Sequence, residues 1–233
     1  MTRWSPGTRV SLVLFDLDGT LSDSAPGITS SMRHALTHHG LEVPSDDVLN
    51  SFVGPPFRVS LEGIGLPPER VDEVVTTYRS DYEAGRLFEN ELYPGIRDVL
   101  AGLADAGTTV AVATSKPQAT ARRIVEHFGL APHLAGGLEG VFGADVTNPR
   151  DTKAGVIARA LAHLQREPDA DVVMVGDRLH DVEGAAKHGI ATIGVSWGYA
   201  APDELRDAGA AAVVDSVDDL AALLLPGASR PLD

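Results

Sequence analysis

Short, uninterrupted runs of apolar side chains are the feature that most constrains this fold. Residues 172–175 are apolar at every position, and residues 10–15 are apolar at all but Ser11. A strand with one face in water alternates apolar and polar residues, whereas a strand covered on both faces is apolar throughout. Between such runs the apolar residues recur with helical spacing, as from Ile96 to Leu103. This alternation predicts an α/β fold with a mostly parallel, Rossmann-like sheet. Further strands are predicted at residues 110–113, 138–142, 190–195 and 211–214.

One region breaks the alternation of strands and helices. From about residue 25 to residue 90 the apolar spacing is helical, and Gly54-Pro55-Pro56 marks a stiff turn within this region. A mostly helical domain inserted after the first strand is the economical interpretation. We therefore predict a catalytic core from residues 1–21 and 93–233, and a helical cap domain from residues 22–92.

Composition and charge exclude several classes of function. The chain has no cysteine, so it cannot use a disulfide, a thiolate metal site or a cysteine nucleophile. Its formal net charge of −14 disfavours nucleic acid and anionic membrane as partners. No segment approaches the roughly 20 apolar residues of a membrane helix. We expect a cytoplasmic monomer or homodimer. If its substrate is an anion, a bound divalent metal and a few basic side chains must attract that substrate.

The strongest local motif follows the first predicted strand directly. It reads Asp16-Leu17-Asp18-Gly19-Thr20, and open α/β sheets bind ligands at the carboxyl ends of their strands. Asp16 and Asp18 lie on the same side of an extended chain, so their carboxylates can converge. A turn with solvated aspartates is the alternative for this motif taken alone.

Three more polar motifs follow apolar runs or open helices. Thr114 and Ser115 end the strand at 110–113, where a following helix N-terminus could bind phosphate, although both residue types are also common helix caps. Lys153 stands at the start of a predicted helix, where the dipole disfavours a cation unless an anion is nearby. A solvated lysine is the alternative. Asp177 and Asp181 are four residues apart after the strand at 172–175, so both can face the strand ends unless Asp177 simply caps the helix.

Taken together and in this order, the four motifs resemble the haloacid dehalogenase superfamily of phosphatases over essentially the whole chain. Leu92-Tyr93-Pro94-Gly95 and Ser196-Trp197-Gly198-Tyr199 look like its phosphoglycolate phosphatase-like branch, whose helical cap follows the first motif. The resemblance implies a magnesium-dependent phosphatase. Such an enzyme would hydrolyse a small-molecule phosphate ester, for example 2-phosphoglycolate, through an aspartyl-phosphate intermediate.

The resemblance also implies roles for the four aspartates. Asp16 would be the nucleophile, and Asp18 would be the general acid and then the general base. Mg²⁺ would be held by Asp16, by the backbone carbonyl of Asp18 and by Asp177. Asp181 would orient a magnesium-bound water or Lys153.

Substrate binding is assigned to residues beside these aspartates. Thr114 and Lys153 would hold the oxygens of the transferring phosphoryl group as part of the catalytic set. Gly19, Thr20 and Ser115 would complete the binding site for the substrate.

Arg58 is a further candidate for substrate binding. It closely follows the Gly54-Pro55-Pro56 turn, and a guanidinium can bind a carboxylate beside the phosphate with two hydrogen bonds. A solvated arginine is the alternative.

One departure from the family pattern keeps other substrates open. Arg178 stands where the family often has serine, which is similar to some nucleotidase-like members. A 5′-nucleotidase or a pyrophosphatase on the same fold is therefore an alternative. A phosphomutase is a further one, and so is a binding or signalling module that keeps its phospho-aspartate. Asp18 argues against the last alternative, because such a module needs no acid or base.

Overall fold

The computed structural model describes residues 4–55, 57–148, 151–169 and 171–225. The chain divides into two compact units. One, here called the sheet unit, comprises the chain up to Leu21 and from Leu92 onward. The other, the helical unit, comprises Ser22–Glu91. In the described part of the chain, no helix combines the length and apolar character needed to cross a membrane.

The sheet unit is built on a six-stranded parallel sheet. The strands of the described chain are β1 (Leu12–Phe15), β2 (Ser22–Asp23), β3 (Glu91–Leu92), β4 (Thr109–Pro117), β5 (Val141–Ala144), β6 (Val172–Gly176), β7 (Ala191–Val195) and β8 (Ala212–Val214). The large sheet has the order β5-β4-β1-β6-β7-β8, and β2 pairs with β3 where the chain leaves the sheet unit and returns to it. The predicted α/β architecture with a parallel sheet is confirmed.

The helices of the described chain connect these strands. They are α1 (Ala25–His38), α2 (Asp46–Asn50), α3 (Phe57–Gly63), α4 (Pro68–Ala84), α5 (Ile96–Asp105), α6 (Gln118–His127), α7 (Lys153–His163), α8 (Leu179–Ala186), α9 (Glu204–Asp207) and α10 (Val217–Leu224). Short 3₁₀ turns occur at Arg86–Phe88, Ala131–His133 and Gly137–Gly140.

The central strands are covered on both faces, as their composition predicts. All of β1 and β6 is buried. Leu12 and Leu14 pack in one apolar cluster with residues of α7 such as Val156 and Ile157. Val13 and Phe15 alternate to the opposite face and are also fully buried. The sheet therefore has an apolar layer on each side.

In the helical unit, α1 packs against α4. The buried face of α1 includes Ile28, Met32 and Leu36, at helical spacing. Tyr78 and Tyr82 lie on the buried face of α4 with their rings stacked at a centroid distance of 5.5 Å. These apolar stripes are the ones that predicted the two helices.

Two local predictions in the sheet unit were wrong. Leu138 was expected in a strand at 138–142, but it lies in a 3₁₀ turn and β5 begins at Val141. Gly136 and Gly137 have φ of 69° and 68°, a left-handed conformation that glycine tolerates and an extended strand excludes.

The second error concerns Thr114 and Ser115, which were expected beside a helix N-terminus. Strand β4 instead continues through Pro117, with an irregular register between Ala113 and Pro117, and α6 begins only at Gln118. Both residues therefore belong to the strand end itself.

Candidate active site

Lys153 lies between two carboxylates at the end of β1. Its Nζ is 2.7 Å from Oδ1 of Asp16 and 2.7 Å from Oδ1 of Asp181, and it donates to the backbone oxygen of Ala113 at 2.8 Å. Burial alone would lower the pKa of Lys153, but the two carboxylates outweigh burial and raise this pKa above its usual range. Lys153 is therefore a charged ammonium that holds Asp16 in place. Its position as the first residue of α7 is compensated by these anions, and because Lys153 is buried it is not the solvated lysine that the sequence also allowed.

Three buried carboxylates converge beside this lysine. One oxygen each from Asp16, Asp177 and Asp181 lies within 4.8 Å of the other two. Burial, followed by the negative charges of Asp181 and Asp16, raises the pKa of Asp177 well above its usual value. Burial also raises the pKa of Asp181 to about 6, although the charge of Lys153 acts in the opposite direction. Three carboxylates against one ammonium leave a net negative charge in a buried place.

This cluster fits a divalent metal ion. Carboxylate and carbonyl oxygens are the ligands that Mg²⁺ prefers, and a bound cation reverses the unfavourable crowding of like charges. Asp181 is already engaged at both oxygens, because Oδ1 contacts Lys153 and Oδ2 accepts from the backbone N–H of Arg178 at 3.0 Å. Each of the three aspartates can nevertheless offer one oxygen to such an ion.

Two backbone segments enclose Asp177. Its Oδ2 accepts from the backbone N–H of Tyr199 at 2.8 Å, and its Oδ1 accepts from the Thr20 hydroxyl at 3.3 Å. A Cβ atom at Gly19 would lie 2.2 Å from Oδ2 of Asp177, and one at Gly198 would lie 2.4 Å from the same atom. Only glycine permits this close approach. Asp177 does not cap α8, since the N-cap residue of that helix is Arg178.

Lys116 is a site residue that the sequence analysis missed. Its side chain is largely buried, and its Nζ lies 3.1 Å from Oδ1 of Asp18. Its backbone N–H donates to the Thr114 hydroxyl at 3.2 Å. The sequence analysis assigned Lys116 no role. The available signal was strand alternation, because Lys116 lies two residues after Thr114 and therefore on the same face.

Glu204 is the second residue that the sequence analysis missed. Its Oε1 accepts from Nε of Arg178 at 2.8 Å and from the backbone N–H of Leu179 at 2.9 Å, while Oε2 accepts from the N–H of Ala201 at 3.1 Å. Glu204 thus joins the loop after β7 to the start of α8. The guanidinium of Arg178, the departure from the family pattern, is engaged by Glu204.

The remaining predicted residues are Thr114, Ser115 and Arg58. Thr114 is buried and Ser115 is exposed at the end of β4. Arg58 belongs to the helical unit, is about half exposed, and pairs with Glu62 and Asp72 of that unit. The roles of Ser115 and Arg58 stay predictions, and Pro56 of the predicted turn lies outside the described residues.

Comparison with known proteins identifies similar chains. The family of haloacid dehalogenase-like hydrolases matches residues 13–195. The protein named tyrosine-protein kinase PtkA of Mycobacterium tuberculosis is 50% identical over 199 residues, which cover 85% of this chain and 66% of that protein. The chain therefore spans slightly less than two thirds of that relative. The 5′-nucleotidase of Pseudomonas aeruginosa is 37% identical over 83% of this chain and 86% of that protein. The phosphoglycolate phosphatase of Agrobacterium fabrum is 33% identical over 81% of each.

A solved structure supports the same relationship at the level of the fold. The crystal structure of a predicted phosphatase from Clostridium acetobutylicum superposes with a TM-score of 0.84 and 40% sequence identity. The match covers 92% of this chain and 97% of that chain.

Proposed function

Because the chain belongs to the family of haloacid dehalogenase-like hydrolases, we propose that it is a magnesium-dependent phosphatase acting on a small phosphate monoester. The observation that carries the proposal is the contact of Asp16 with Lys153 at 2.7 Å, beside the buried carboxylates of Asp177 and Asp181. A buried carboxylate fixed by a cation at a strand end is suited to act as a nucleophile.

The proposed reaction has two steps. A carboxylate oxygen of Asp16 attacks the phosphorus, the bond from phosphorus to the ester oxygen breaks, and Asp18 gives its proton to the leaving oxygen. Water then attacks the aspartyl-phosphate, Asp18 takes a proton from that water, and the bond between phosphorus and Asp16 breaks. Inorganic phosphate leaves, and both carboxyl groups return to their initial states.

The other residues of the site would bind and orient the phosphoryl group. Asp16, Asp177 and the backbone carbonyl of Asp18 would hold Mg²⁺, which supplies positive charge against the phosphoryl oxygens when it is bound. Lys153 and the Thr114 hydroxyl would contact the same oxygens. The charge of Lys153 persists at neutral pH, since its pKa is raised.

The substrate class is proposed to be a phosphoglycolate-like monoester. The phosphoglycolate phosphatase of A. fabrum supports this choice, whereas the 5′-nucleotidase of P. aeruginosa supports a nucleoside monophosphate. A pyrophosphatase is a further alternative on the same fold. Arg58 remains the proposed partner of a substrate carboxylate, and binding would require it to exchange its contacts with Glu62 and Asp72.

A second candidate is phosphoryl transfer to protein tyrosine. It is favoured by the 50% identity to the relative named a tyrosine-protein kinase. An aspartate nucleophile can accept a phosphoryl group from either kind of donor. In the phosphatase the donor is a phosphate ester and the acceptor is water, whereas in the kinase the donor is ATP and the acceptor is a tyrosine hydroxyl. They are separated by whether inorganic phosphate or a phosphorylated tyrosine is produced.

The test measures both products. Purified protein with Mg²⁺ is incubated with phosphoglycolate, a nucleoside 5′-monophosphate, pyrophosphate or a phosphotyrosine peptide, and released phosphate is measured. A parallel reaction supplies labelled ATP and a tyrosine peptide. We expect phosphate release from a monoester, which Asp16→Asn abolishes and the exposed control Asp105→Asn retains. Activity of Asp16→Asn within about tenfold of wild type would overturn the covalent mechanism. Labelled peptide without release of phosphate from any ester would establish the kinase instead.

A further inference from the structure

One face of α8 runs along the whole length of Lys153. Asp181 and Gly184 are three residues apart, and His188 lies one turn further on, just past the end of the helix, so the three share a face. Oδ1 of Asp181 contacts the ammonium of Lys153 at 2.7 Å, Gly184 adjoins the aliphatic stem of Lys153, and His188 contacts the following residue, Ala154. The proposed reaction uses Asp181 and Lys153 but assigns nothing to Gly184 or His188.

Gly184 leaves the space that the stem of Lys153 occupies. A Cβ atom at Gly184 would lie 2.8 Å from Cγ and 2.9 Å from Cβ of Lys153, whereas carbon atoms in contact are about 3.5–4.0 Å apart. Gly184 is buried within α8, where alanine is the better helix former. The glycine therefore serves the packing of Lys153 and not the conformation of its own backbone.

His188 keeps α7 from moving away from α8. Its Nε2 lies 2.8 Å from the backbone oxygen of Ala154, in the first turn of α7, and because a carbonyl oxygen only accepts, Nε2 is the donor. The backbone nitrogen of Ala154 would itself lie 3.2 Å from a Cβ atom at Gly184. A side chain at residue 184 would therefore meet a helix end that is already fastened, in a close-packed interior. The part that can move is the stem of Lys153.

The ammonium of Lys153 tolerates little movement. Its Nζ contacts Asp16 and Asp181 at 2.7 Å and the backbone oxygen of Ala113 at 2.8 Å, in a side chain that is 4% exposed. A shift of about 0.5 Å would bring a contact of this length to the outer limit of an N–H···O hydrogen bond, about 3.2 Å. The space at Gly184 thus decides whether the ammonium reaches Asp16.

We propose that Gly184 and His188 are positioning residues, which together hold Lys153 where its ammonium contacts Asp16. Gly184 does so by leaving room for the stem, and His188 by fixing the start of α7. The consequence for catalysis rests on the proposed function, in which Lys153 holds the nucleophile and contacts the phosphoryl oxygens. Both residues act through Lys153.

The first test is the crystal structure of Gly184→Ala, which does not depend on the proposed function. We expect Nζ of Lys153 to lie about 0.5 Å or more further from Oδ1 of Asp16 than in the wild type, because the new methyl group displaces the stem. Gly63→Ala is the matched control, since Gly63 is also helical and a Cβ atom there meets nothing within 4 Å. An unmoved ammonium in Gly184→Ala, or an equal shift in Gly63→Ala, would overturn the proposal.

The second test measures phosphate release from p-nitrophenyl phosphate. Gly184→Ala should lower kcat/KM about 10- to 100-fold, since a misplacement of about 1 Å can cost a factor of 100, and Gly63→Ala should leave it unchanged. Lys153→Met removes the ammonium but keeps an aliphatic stem, so in that background Gly184→Ala should cost less than about twofold. A loss by the same factor in both backgrounds would mean that Gly184 acts on the fold and not through Lys153.

His188 supplies a second pair of variants, which decides the matter if Gly184→Ala does not fold. His188→Leu cannot donate to Ala154 and should lower kcat/KM about tenfold, the loss of one hydrogen bond. His188→Gln, whose amide can still donate, should stay within about threefold of the wild type. Equal losses in the two variants would overturn the role of His188. A wild-type chain that releases no phosphate from any ester would refute the proposed function instead, and the crystal structures of Gly184→Ala and His188→Leu would still decide how Lys153 is positioned.

Discussion

Each aspartate of the first motif has its own buried lysine. Lys153 contacts Asp16, and Lys116 contacts Asp18. Two carboxylates two residues apart would otherwise repel each other in a buried place. Each lysine also fixes the direction of one carboxylate, which matters because phosphoryl transfer depends mainly on positioning and charge. At the scale of single residues, this pairing gives the proposed nucleophile and the proposed acid and base different cationic partners.

Lys116→Met should impair the proposed reaction through Asp18. Protonation by a positioned acid matters most when the leaving group is poor, so the loss should be about tenfold or more for an alkyl phosphate and small for p-nitrophenyl phosphate. The measurement is kcat/KM for both esters, with the exposed Lys187→Met as control. Equal losses on both esters would show that Lys116 does not act through Asp18.

At the scale of elements, the loop between β7 and α9, residues 196–203, supplies contacts to the acidic cluster. It supplies the N–H of Tyr199 to Asp177, and Glu204 at its far end binds Arg178 and the start of α8. Burial acts to raise the pKa of Glu204, but hydrogen bonds from Arg178, Leu179 and Ala201 outweigh burial and lower it below its usual value of 4.5. The loop is thus fastened by an ionised glutamate.

Glu204→Gln should destabilise the protein at neutral pH by about 1–3 kcal/mol, because it removes a charged acceptor. A carboxyl group whose pKa is lowered by folding contributes stability that is present above its unfolded pKa and is lost as pH falls through its folded pKa. The difference in thermal midpoint between wild type and variant should therefore be constant from pH 7 to about 5 and shrink below 4.5. Glu126→Gln, an exposed change on α6, is the control. A difference that grows on acidification would contradict the assignment.

At the scale of the whole molecule, the formal net charge of −14 surrounds the buried acidic cluster, so a cation bound at that cluster would offset unfavourable negative charge. The acidic cluster draws on two segments of the sheet unit that are about 160 residues apart in sequence, and only folding brings them together. A ligand that binds the folded state alone stabilises it in proportion to the logarithm of its concentration. A metal at this cluster would therefore tie β1 to the start of α8.

Removal of metal should abolish activity and lower stability together. We expect EDTA to stop phosphate release, Mg²⁺ to restore it, and Ca²⁺ to substitute poorly because it prefers more ligands at longer distances. Mg²⁺ at about 100 times its Kd should add roughly 2.7 kcal/mol to the free energy of unfolding, measured by thermal denaturation. Asp177→Asn should lose this increment and Asp105→Asn should keep it. Full activity in EDTA would contradict the roles of Asp16 and Asp177.

Local patterns in the sequence were sufficient to predict a parallel sheet, most of its strands and the order of the motifs along the chain. Apolar runs such as residues 172–175 predict buried parallel strands, because only a strand covered on both faces is apolar throughout. The same reasoning placed Asp16 and Asp177 at strand ends, and Lys153 at a helix start where a cation is disfavoured unless an anion is nearby. It failed at residue 138, where Gly136 and Gly137 make a turn that an apolar pattern does not reveal.

The tertiary structure alone decided which side chains meet. Lys116 and Asp18 are about 100 residues apart in the sequence, and no local pattern connects them. Their charged groups nevertheless lie 3.1 Å apart, because β4 pairs with β1. The hydrogen bond between Arg178 and Glu204 likewise depends on how segments distant in the sequence pack together. Periodicity reports the environment of one element, because each side chain repeats along its own helix or strand. A contact between elements depends on strand order, register and loop path, which no single stretch of sequence contains.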